Sequence, residues 1–461
     1  MIHDVKGRDA EEKVEDVYAP TDPSFSAPKY RMPDEARDPR LTYITVRDEL
    51  MVEGNSRLNL ATFCQTWVEP ELRELMAETY DKNMIDKDEY PQTAELEKRC
   101  VNMIAELWNA PEHRNAVGTS TTGSSEACML GGMALLWRWR ERQRAAGRPH
   151  DTPNIVYGVN VQVCWHKFAR YWGVEERMVP MEGDRFVIDP DLAAGLCDEN
   201  TIAVVGILGS TFTGEYEPIA GIQAALDRLE QETGIDVPIH VDAASGGFVA
   251  PFLQPDLVWD FRLPRVKSIN TSGHKYGLAP LGVGWVIWAD AEELPDDLVF
   301  RVNYLGGEMP TFAINFSRPG GQVIAQYFNL IRLGREGYRQ VQQYAQDVAG
   351  FLADEIEAIG PFTMITRGTD LPVISWSLQD GQNFTLFELA DKLREHGWQL
   401  PAYTLPRDRT DLAICRIVVR HGLTLDMARL LVSHVKDALE RFGAEPERTP
   451  SVIHDGGFSH T

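Results

Sequence analysis

Between residues 56 and 320, short apolar stretches alternate with amphipathic ones, and this alternation limits the fold more than any other feature of the chain. Four apolar runs are bounded by turn residues: NIVYGVN (154–160), TIAVVGIL (201–208), PIHVDAA (238–244) and GVGWVIW (282–288). Helical periods such as EACMLGGMALLWRWRERQRAAG and IAGIQAALDRLEQETG lie between them. This order of strands and helices predicts an α/β fold with a largely parallel central sheet.

A smaller unit follows a long helical region at residues 322–359. Its pattern is strand, helix, strand, helix, at LPVISWSL, residues 384–396, ICRIVVR and residues 424–442. This pattern predicts a compact α+β domain joined to the first by a helix. We place the boundaries at 1–56 for an N-terminal arm, 57–346 for the large domain, 347–450 for the small C-terminal domain and 451–461 for a tail.

The charge of the chain excludes some classes of partner. With 45 basic and 69 acidic residues the formal net charge is -24, which disfavours binding to nucleic acid or to an anionic membrane. No apolar run reaches the roughly 18 residues of a membrane span, and the polar start resembles no secretory signal. We therefore expect a cytoplasmic protein with a small-molecule substrate. The six cysteines are widely spaced, so we expect no metal site.

The stretch SINTSGHKYG places Lys275 beside His274 between small residues, just before an apolar run. A lysine amine becomes a nucleophile when desolvation or nearby cations lower its pKa, and it then forms a Schiff base with a carbonyl compound. Ser272 and His274 could hold the phosphate of an aldehyde cofactor bound to Lys275. On these residues alone, a solvated lysine in a turn remains the alternative.

Two further features could complete such a site. Asp242 ends the apolar run PIHVD, at the sheet edge where α/β folds bind ligands, although a turn or helix cap fits it as well. Gly123, Ser124 and Ser125 precede an apolar helix, and backbone N–H groups at a helix start can bind an anion. An ordinary N-cap would explain this stretch too. The three features together are more specific than any one of them.

With these motifs the sequence closely resembles the glutamate decarboxylases of bacteria and plants. The resemblance runs from about residue 45 to 440 and includes NLATFCQTW, GSSEACMLGGMALLWRWR, CWHKFARYW, GSTFTGEYEP, HVDAASGGFVAPF, SGHKYGLAPLGVGWVIW and TFAINFSRPGGQVIAQY. It implies an aspartate-aminotransferase-like fold, the type I pyridoxal-phosphate fold, with a mainly parallel central sheet and a smaller α+β C-terminal domain. It also implies pyridoxal 5'-phosphate as cofactor and L-glutamate as substrate.

The resemblance assigns roles to particular residues of the cofactor site. Lys275 would bind the cofactor covalently and Asp242 would pair with the pyridine nitrogen. His274 is the third residue to which the resemblance gives a catalytic role. Ala244 and Gln162 would lie on the two faces of the ring, where related decarboxylases commonly place a histidine instead of Gln162. Phosphate and ring-oxygen contacts would come from Ser124, Ser125, Ser272, His274 and Thr211, with Ser317 reaching in from a neighbouring subunit.

Substrate recognition is assigned in the same way. Thr62, Phe63 and Asp86 would hold the distal carboxyl group, and Arg416 the α-carboxylate, with Arg420 as the second candidate. Asp86 beside a carboxylate requires that one of the two groups carries a proton, which favours binding at acidic pH. On local sequence alone, Asp86 could instead be a helix N-cap ahead of Glu89.

The resemblance also bears on assembly and physiology. We expect a homo-oligomer built from dimers, with a hexamer as one arrangement, and no binding of calmodulin because the basic extension of the plant enzymes is absent. One proton is consumed per turnover, which suits a role in acid resistance. The alternatives are another pyridoxal-phosphate-dependent amino-acid decarboxylase and a non-catalytic binding protein on the same fold.

The chain ends suggest a pH response. In bacterial members a penultimate histidine closes the active site near neutral pH, and His460 occupies that position. Residues 9–18 have the period of a short helix rich in acidic side chains, which protonation would favour, although a solvated acidic terminus fits them too.

Deleting residues 458–461 should therefore extend activity to higher pH. In the intact chain we expect activity to fall steeply as the pH rises from about 5 to 6, the range in which shifted carboxylates and histidine titrate. Activity measured across pH 4 to 8 on the intact and truncated chains checks this. Superimposable profiles would exclude a regulatory role for His460.

Overall fold

We describe the fold from a computed structural model, in which residues 28–303 and 309–444 are placed. The predicted helix at 9–18 and the proposed regulatory His460 lie outside these residues. Residues up to Asn55 form one unit and the chain from Ser56 onward forms another. In the first unit, helix α1 (Pro39–Leu50) begins at Asp38, whose carboxylate accepts the backbone N–H groups of Arg40 and Leu41. An N-cap of this kind satisfies donors that have no partner within the helix.

The central sheet of the second unit contains all four apolar runs singled out in the sequence. Its seven strands are β1 (Val117–Thr121), β2 (Asn154–Gly158), β3 (Glu175–Val179), β4 (Thr201–Ile207), β5 (Ile239–Asp242), β6 (Val266–Ser272) and β7 (Gly284–Trp288). Their order is β1-β7-β6-β5-β4-β2-β3. Only β7 runs antiparallel to its two neighbours, so the expected mainly parallel sheet is confirmed.

Five of the described helices contact this sheet: α3 (Pro91–Leu107), α4 (Ser124–Ala145), α5 (Val163–Trp172), α6 (Pro190–Gly195) and α7 (Ile219–Thr233). The same part of the chain also contains α2 (Pro70–Glu78) and α8 (Ala250–Leu253). Strands β2, β4, β5 and β7 are buried along their whole length, as expected for strands covered on both faces. None of the helices in the described residues is long and apolar enough to cross a membrane.

The parallel arrangement brings several strand ends to one edge. Thr121, Gly284 and Ser272 lie side by side across β1, β7 and β6, and Asp242 ends β5 next to Ile207 at the end of β4. Gly284 permits this crowding, because a Cβ on it would lie 2.5 Å from the carbonyl carbon of Gly123. The start of α4 therefore sits directly against the sheet edge.

A second, antiparallel sheet follows farther along the chain. Its strands are β10 (Phe362–Arg367), β11 (Val373–Leu378), β12 (Ala402–Thr404) and β13 (Ala413–Val418), in the order β10-β11-β13-β12. Helices α10 (Leu386–Arg394) and α11 (Leu425–Gly443) share a hydrophobic core with it. A short pair, β8 (Phe300–Val302) and β9 (Met309–Thr311), completes the strands. The predicted α+β character of this part of the chain is thus observed.

Helix α9 (Gly321–Ile359) serves both hydrophobic cores. Val323 and Tyr338 belong to the core around the seven-stranded sheet, whereas Ala345 and Leu352 belong to the core of the small sheet. The helix is interrupted at Gly334, whose φ of 57° and ψ of -171° suit glycine alone. It also runs through the boundary that we predict at 346/347, so the same helix contributes to both cores.

A buried ion pair holds the segment that leads into α9. Arg318 Nη2 lies 3.1 Å from Glu97 Oε1 on α3, and both side chains are nearly inaccessible to solvent. The Ser120 backbone N–H also donates to Glu97, at 3.0 Å. Burial acts to raise the pKa of Glu97, but the Arg318 charge and the Ser120 hydrogen bonds outweigh it and hold the pKa below its ordinary value.

Replacing Arg318 with methionine should lower the free energy of unfolding by about 3–5 kcal/mol, because it leaves the Glu97 charge buried without a partner. The R318M/E97Q double variant should recover much of that loss, since both charges are then gone. Because the folded-state pKa of Glu97 is lowered, the pair stabilises the protein above pH ~4.5 and loses its effect as the pH falls through the lowered value. Urea unfolding of the four chains at pH 7 measures the coupling, and strictly additive effects would contradict it.

Candidate active site

A cavity of about 390 Å³ opens at the crowded sheet edge. Its wall contains eleven of the residues singled out in the sequence: Phe63, Gly123, Ser124, Ser125, Gln162, Thr211, Asp242, Ala244, Ser272, His274 and Lys275. These residues come from β5, β6, the starts of α4 and α5, and the loops around them. The topology thus gathers side chains that are up to 212 positions apart, from Phe63 to Lys275, around one volume.

Asp242 is a buried carboxylate with a full set of donors. Its Oδ2 accepts the indole N–H of Trp165 at 2.9 Å, and its Oδ1 accepts the side-chain amide of Asn270 at 3.0 Å and the Ala244 backbone N–H at 3.1 Å. Only 4% of the residue is exposed. A buried carboxylate is tolerated when such donors surround it, so Asp242 is suited to face a cationic group.

Lys275 follows β6 and is the one lysine among the described residues that line the cavity. Its Nζ donates to Ser245 Oγ at 3.3 Å and lies 5.1 Å from the centre of the Phe63 ring. Burial lowers the pKa of the Lys275 amine, and the nearby Asp242 charge offsets part of that effect. The neutral fraction of this amine is therefore larger than that of an exposed lysine, and the neutral amine is the form that attacks a carbonyl carbon.

The start of α4 supplies groups suited to an anion. Ser272 Oγ donates to Ser124 Oγ at 2.7 Å, and Ser125 and Gly123 line the same wall. Unpaired N–H groups and the helix dipole favour negative charge at such a helix start. The two hydroxyls and the backbone together can hold a phosphate group.

His274 contributes a hydrogen-bond donor rather than a charge. The backbone N–H groups of Val283 and Gly282 donate to its Nδ1, at 3.2 and 3.4 Å. Burial, aided by the Lys275 charge, lowers the pKa of His274 to about 4. The ring is therefore neutral near pH 7, and because Nδ1 accepts, the proton resides on Nε2.

Gln162 and Thr211 lie at the mouth of the cavity. Gln162 is exposed, and its side-chain oxygen accepts the Cys164 backbone N–H at 2.7 Å to cap α5. Thr211 contributes its backbone carbonyl to Arg416.

Arg416 and Arg420 differ in what they hold. Arg416 on β13 donates to the carbonyl oxygens of Ala61, at 2.7 Å, and of Thr211, and its guanidinium lies 4.8 Å from the Phe63 ring centre. Arg420 donates to four acceptors in the segment 56–66: the carbonyl oxygens of Ser56, Asn59 and Thr62 and the Thr66 hydroxyl. Arg416 therefore contacts the cavity wall, while Arg420 fixes a neighbouring segment. Neither arginine lines the cavity itself.

Thr62, Asp86 and Ser317 also lie outside the cavity wall. Thr62 Oγ1 accepts the Cys64 N–H at 3.1 Å. Ser317 Oγ accepts the side-chain amide of Asn83 at 3.3 Å, and the carbonyl of the same Asn83 accepts the Asp86 N–H. Asp86 is not a helix N-cap, because α3 begins at Pro91 after Tyr90. That alternative was wrong because proline fixes the start of the helix further along the chain.

Sequence reasoning missed residues that hydrogen-bond to the predicted site residues and hold them in place. Asn270 and Trp165 hydrogen-bond to Asp242, and Ser245 accepts from Lys275. Asn270 sits within SINTSGHKYG, the first half of which belongs to β6. Trp165 is two residues beyond Val163, at the start of an amphipathic helix. Its position suggested packing and carried no signal of a polar contact.

Glu217 is another residue that the sequence did not indicate. Its carboxylate accepts the backbone N–H groups of Ile188 and Ile207, at 3.0 and 2.7 Å, and the Asn160 side-chain amide at 2.9 Å. Asn160 and Ile207 both line the cavity. Glu217 thus ties together three chain segments beside the site.

Comparison with known proteins places this geometry in context. A sequence model of the pyridoxal-dependent decarboxylase conserved domain matches residues 28–379. A glutamate decarboxylase of Aliivibrio fischeri is 58% identical over 451 residues, which cover 97% of each chain. A glutamate decarboxylase of Solanum lycopersicum is 49% identical over 446 residues, which cover 96% of this chain and 89% of the relative.

Solved structures agree with the sequence comparison. The glutamate decarboxylase of Lactobacillus brevis superimposes with a TM-score of 0.88 at 50% identity, over 91% of this chain and 96% of that one. A sphingosine-1-phosphate lyase of Burkholderia pseudomallei gives a TM-score of 0.74 at 21% identity, over 92% and 94% of the two chains. At that identity the likeness extends to the fold alone.

Replacing Lys275 with methionine should stabilise the chain in the absence of any ligand. The folded-state pKa of Lys275 lies below the ordinary 10.5, so at neutral pH the folded state disfavours the charged form that the unfolded chain prefers. We expect the melting temperature to rise by roughly 2 °C at pH 7, and the gain to shrink as the pH approaches 10. Thermal melts of K275M and of the control K98M, at an exposed lysine outside the cavity, check this. A gain that is equal in both variants would contradict it.

Proposed function

This chain belongs to the family of pyridoxal-dependent decarboxylases, and on that premise we propose that it converts L-glutamate to 4-aminobutyrate and CO2 with uptake of one proton. The observation that carries the proposal is the 58% identity to a glutamate decarboxylase over 97% of both chains. The cavity that joins Lys275 and Asp242 supports it independently.

The residues of the cavity fit pyridoxal 5'-phosphate. Its volume of about 390 Å³ lies in the range of roughly 300–1,000 Å³ found for small-molecule sites. Asp242 would pair with the pyridine nitrogen, Lys275 Nζ would bind the aldehyde carbon, and the hydroxyls at the start of α4 would hold the phosphate. A buried carboxylate, an amine with a lowered pKa and an anion site are the three groups that this cofactor requires.

When bound, pyridoxal phosphate supplies an electron sink for the electron pair left behind as CO2 departs. The chain would keep that sink effective, because the Asp242 carboxylate is buried and accepts hydrogen bonds from Trp165 and Asn270. Its negative charge stabilises a proton on the pyridine nitrogen. Ala244 beside Asp242 and Gln162 at the mouth would bound the two faces of the ring.

The positive groups of the site would orient the substrate. We assign Arg416 to the α-carboxylate, because its guanidinium contacts the Phe63 ring and the carbonyl of Thr211, both at the cavity wall. After CO2 leaves, Lys275 Nζ is the buried amine that can deliver a proton to Cα. His274 keeps its Nε2–H as a donor near neutral pH and can bind a phosphate oxygen without adding charge.

The distal carboxyl group would be held by Thr62, Phe63 and Asp86. The Lys275 amine and the Arg416 guanidinium both approach the Phe63 ring, at 5.1 and 4.8 Å from its centre. The ring therefore links the proposed distal-carboxyl contacts to the amine and to the arginine assigned to the α-carboxylate.

We further propose that the enzyme is a cytoplasmic homo-oligomer built from dimers. Asp86 and Ser317 are joined through Asn83 but lie outside the cavity wall of their own chain. This fits a contribution of both residues to the cavity of a neighbouring subunit. We propose a role in acid resistance, because each turnover would consume one proton.

The test is a substrate panel on the purified chain with pyridoxal phosphate. With glutamate we expect release of CO2 and 4-aminobutyrate in equal amounts and a rising pH in weak buffer. Aspartate and aromatic amino acids should react at least 100-fold more slowly, since their side chains do not present a carboxyl group at the same distance. If another amino acid is turned over faster, that amino acid is the substrate and glutamate is not. If no amino acid is turned over, the chain is a binding protein on the same fold.

Within the same assay, D242N should lower kcat by roughly 100-fold or more, because an amide cannot hold a charge on the pyridine nitrogen. The matched control is D256N, at an exposed aspartate outside the cavity, which should behave as the unmodified chain. A D242N enzyme within threefold of the control would refute the role assigned to Asp242.

A further inference from the structure

A single buried amide connects the two ends of the cavity. Asn270 lies in the middle of the sheet, on β6, and is inaccessible to solvent. Its Nδ2 donates to Asp242 Oδ1 at 3.0 Å and to Ser124 Oγ at 3.3 Å. Asp242 belongs to the ring end of the proposed cofactor site and Ser124 to the phosphate end. One NH2 group thus uses both of its hydrogens to span them.

The direction of that amide is set by His240. His240 Nε2 lies 2.7 Å from Asn270 Oδ1, and its Nδ1 lies 2.7 Å from Ser268 Oγ. Burial lowers the pKa of His240 to about 4, so the ring is neutral and has one N–H. If that proton were on Nδ1, Asn270 would have to turn its oxygen toward the Asp242 carboxylate. Two acceptors would then face each other, so the proton belongs on Nε2.

Packing holds His240 in place. Its ring lies edge-on to Trp165 at 5.0 Å between centres, and Trp165 is itself a donor to Asp242. On the other side, a Cβ at Gly131 of α4 would come within 2.5 Å of His240 Cε1. The glycine therefore leaves room for the ring beneath α4, the helix that carries Ser124 at its start.

The network leaves Ser124 ready to donate into the cavity. Its oxygen accepts from Ser272 Oγ and from Asn270 Nδ2, so its own hydrogen is not needed for either contact. A phosphate oxygen in the cavity is an acceptor for that hydrogen. On the Asp242 side, the same amide keeps one carboxylate oxygen engaged and so fixes the orientation of the carboxylate.

We propose that Asn270 is a positioning residue that couples the ring-binding and phosphate-binding ends of the cofactor site, with His240 fixing the direction of its amide. The proposal rests on the proposed function, since it assigns those two ends to pyridoxal phosphate. It goes beyond that function in making the two ends interdependent. Loss of one amide should therefore weaken both ends together.

The chain offers a matched control at the opposite edge of the sheet. Asn154 is also fully buried, its Nδ2 donates to Asp198 Oδ1 at 2.8 Å, and its Oδ1 accepts from the Thr201 hydroxyl at 2.7 Å. N270D and N154D both set a second carboxylate against an aspartate, and N270A and N154A both remove the amide. Neither Asn154 nor its partners line the cavity, so these pairs separate the cost of burial from an effect on the site.

The experiment measures ligand binding to the cofactor-free chain by absorbance and thermal shift. Three probes are used: pyridoxal 5'-phosphate, pyridoxal and inorganic phosphate. N270A and N270D should weaken the binding of pyridoxal 5'-phosphate at least 10-fold, which corresponds to a loss of about 1.4 kcal/mol. Both variants should also bind pyridoxal and inorganic phosphate more weakly. N154A and N154D should bind all three as the unmodified chain does. If N270D does not fold, N270A carries the comparison.

A second readout distinguishes positioning from general stability. With one donor to Asp242 lost, the absorbance of the bound cofactor should titrate at a midpoint shifted by about half a pH unit or more in N270A, and not in N154A. If the Asn270 variants bind only pyridoxal or only phosphate more weakly, the two ends are not coupled. Unchanged binding and an unchanged midpoint would also contradict the proposal. If the unmodified chain does not bind pyridoxal 5'-phosphate, the proposed function fails as well, whereas failure in the variants alone removes only this inference.

Discussion

The burial of one carboxylate, that of Asp242, organises the rest of the site. A charge inside a protein is stable only where donors replace the water that it has lost. Four donors reach Asp242, from α4, α5, β6 and the turn after β5, so these elements must converge for the buried carboxylate to be satisfied. The parallel sheet allows this convergence, because the carboxyl ends of β4, β5 and β6 meet at one edge.

Much of the fold could be predicted from the sequence because its signals are local. The runs at 154–160, 201–208, 238–244 and 282–288 all contain strands, and the helical period after Gly123 is α4. Many of the residues that line the cavity could also be predicted, because Lys275, Asp242 and the serines are reactive or polar groups that are unusual at the ends of apolar elements. The quoted motifs then linked them to a known family.

What the sequence could not show depends on contacts across long separations. Asn270 and His240 looked like polar residues in β-type stretches, and only the pairing of β5 with β6 puts them side by side. Arg416 and Arg420 are four residues apart and chemically identical, yet only one contacts the cavity wall. Asp86 was open to two interpretations until the start of α3 at Pro91 excluded the N-cap.

Helix α9 places a limit on how the length of such a chain can vary. Tyr338 packs in one core and Ala345, two turns later, in the other. One residue inserted between them would rotate everything beyond it by about 100°, and the buried face after Ala345 would turn toward solvent. Insertions and deletions are tolerated in surface loops, but this stretch admits neither, so its spacing is as tightly constrained as the chemistry of the cavity.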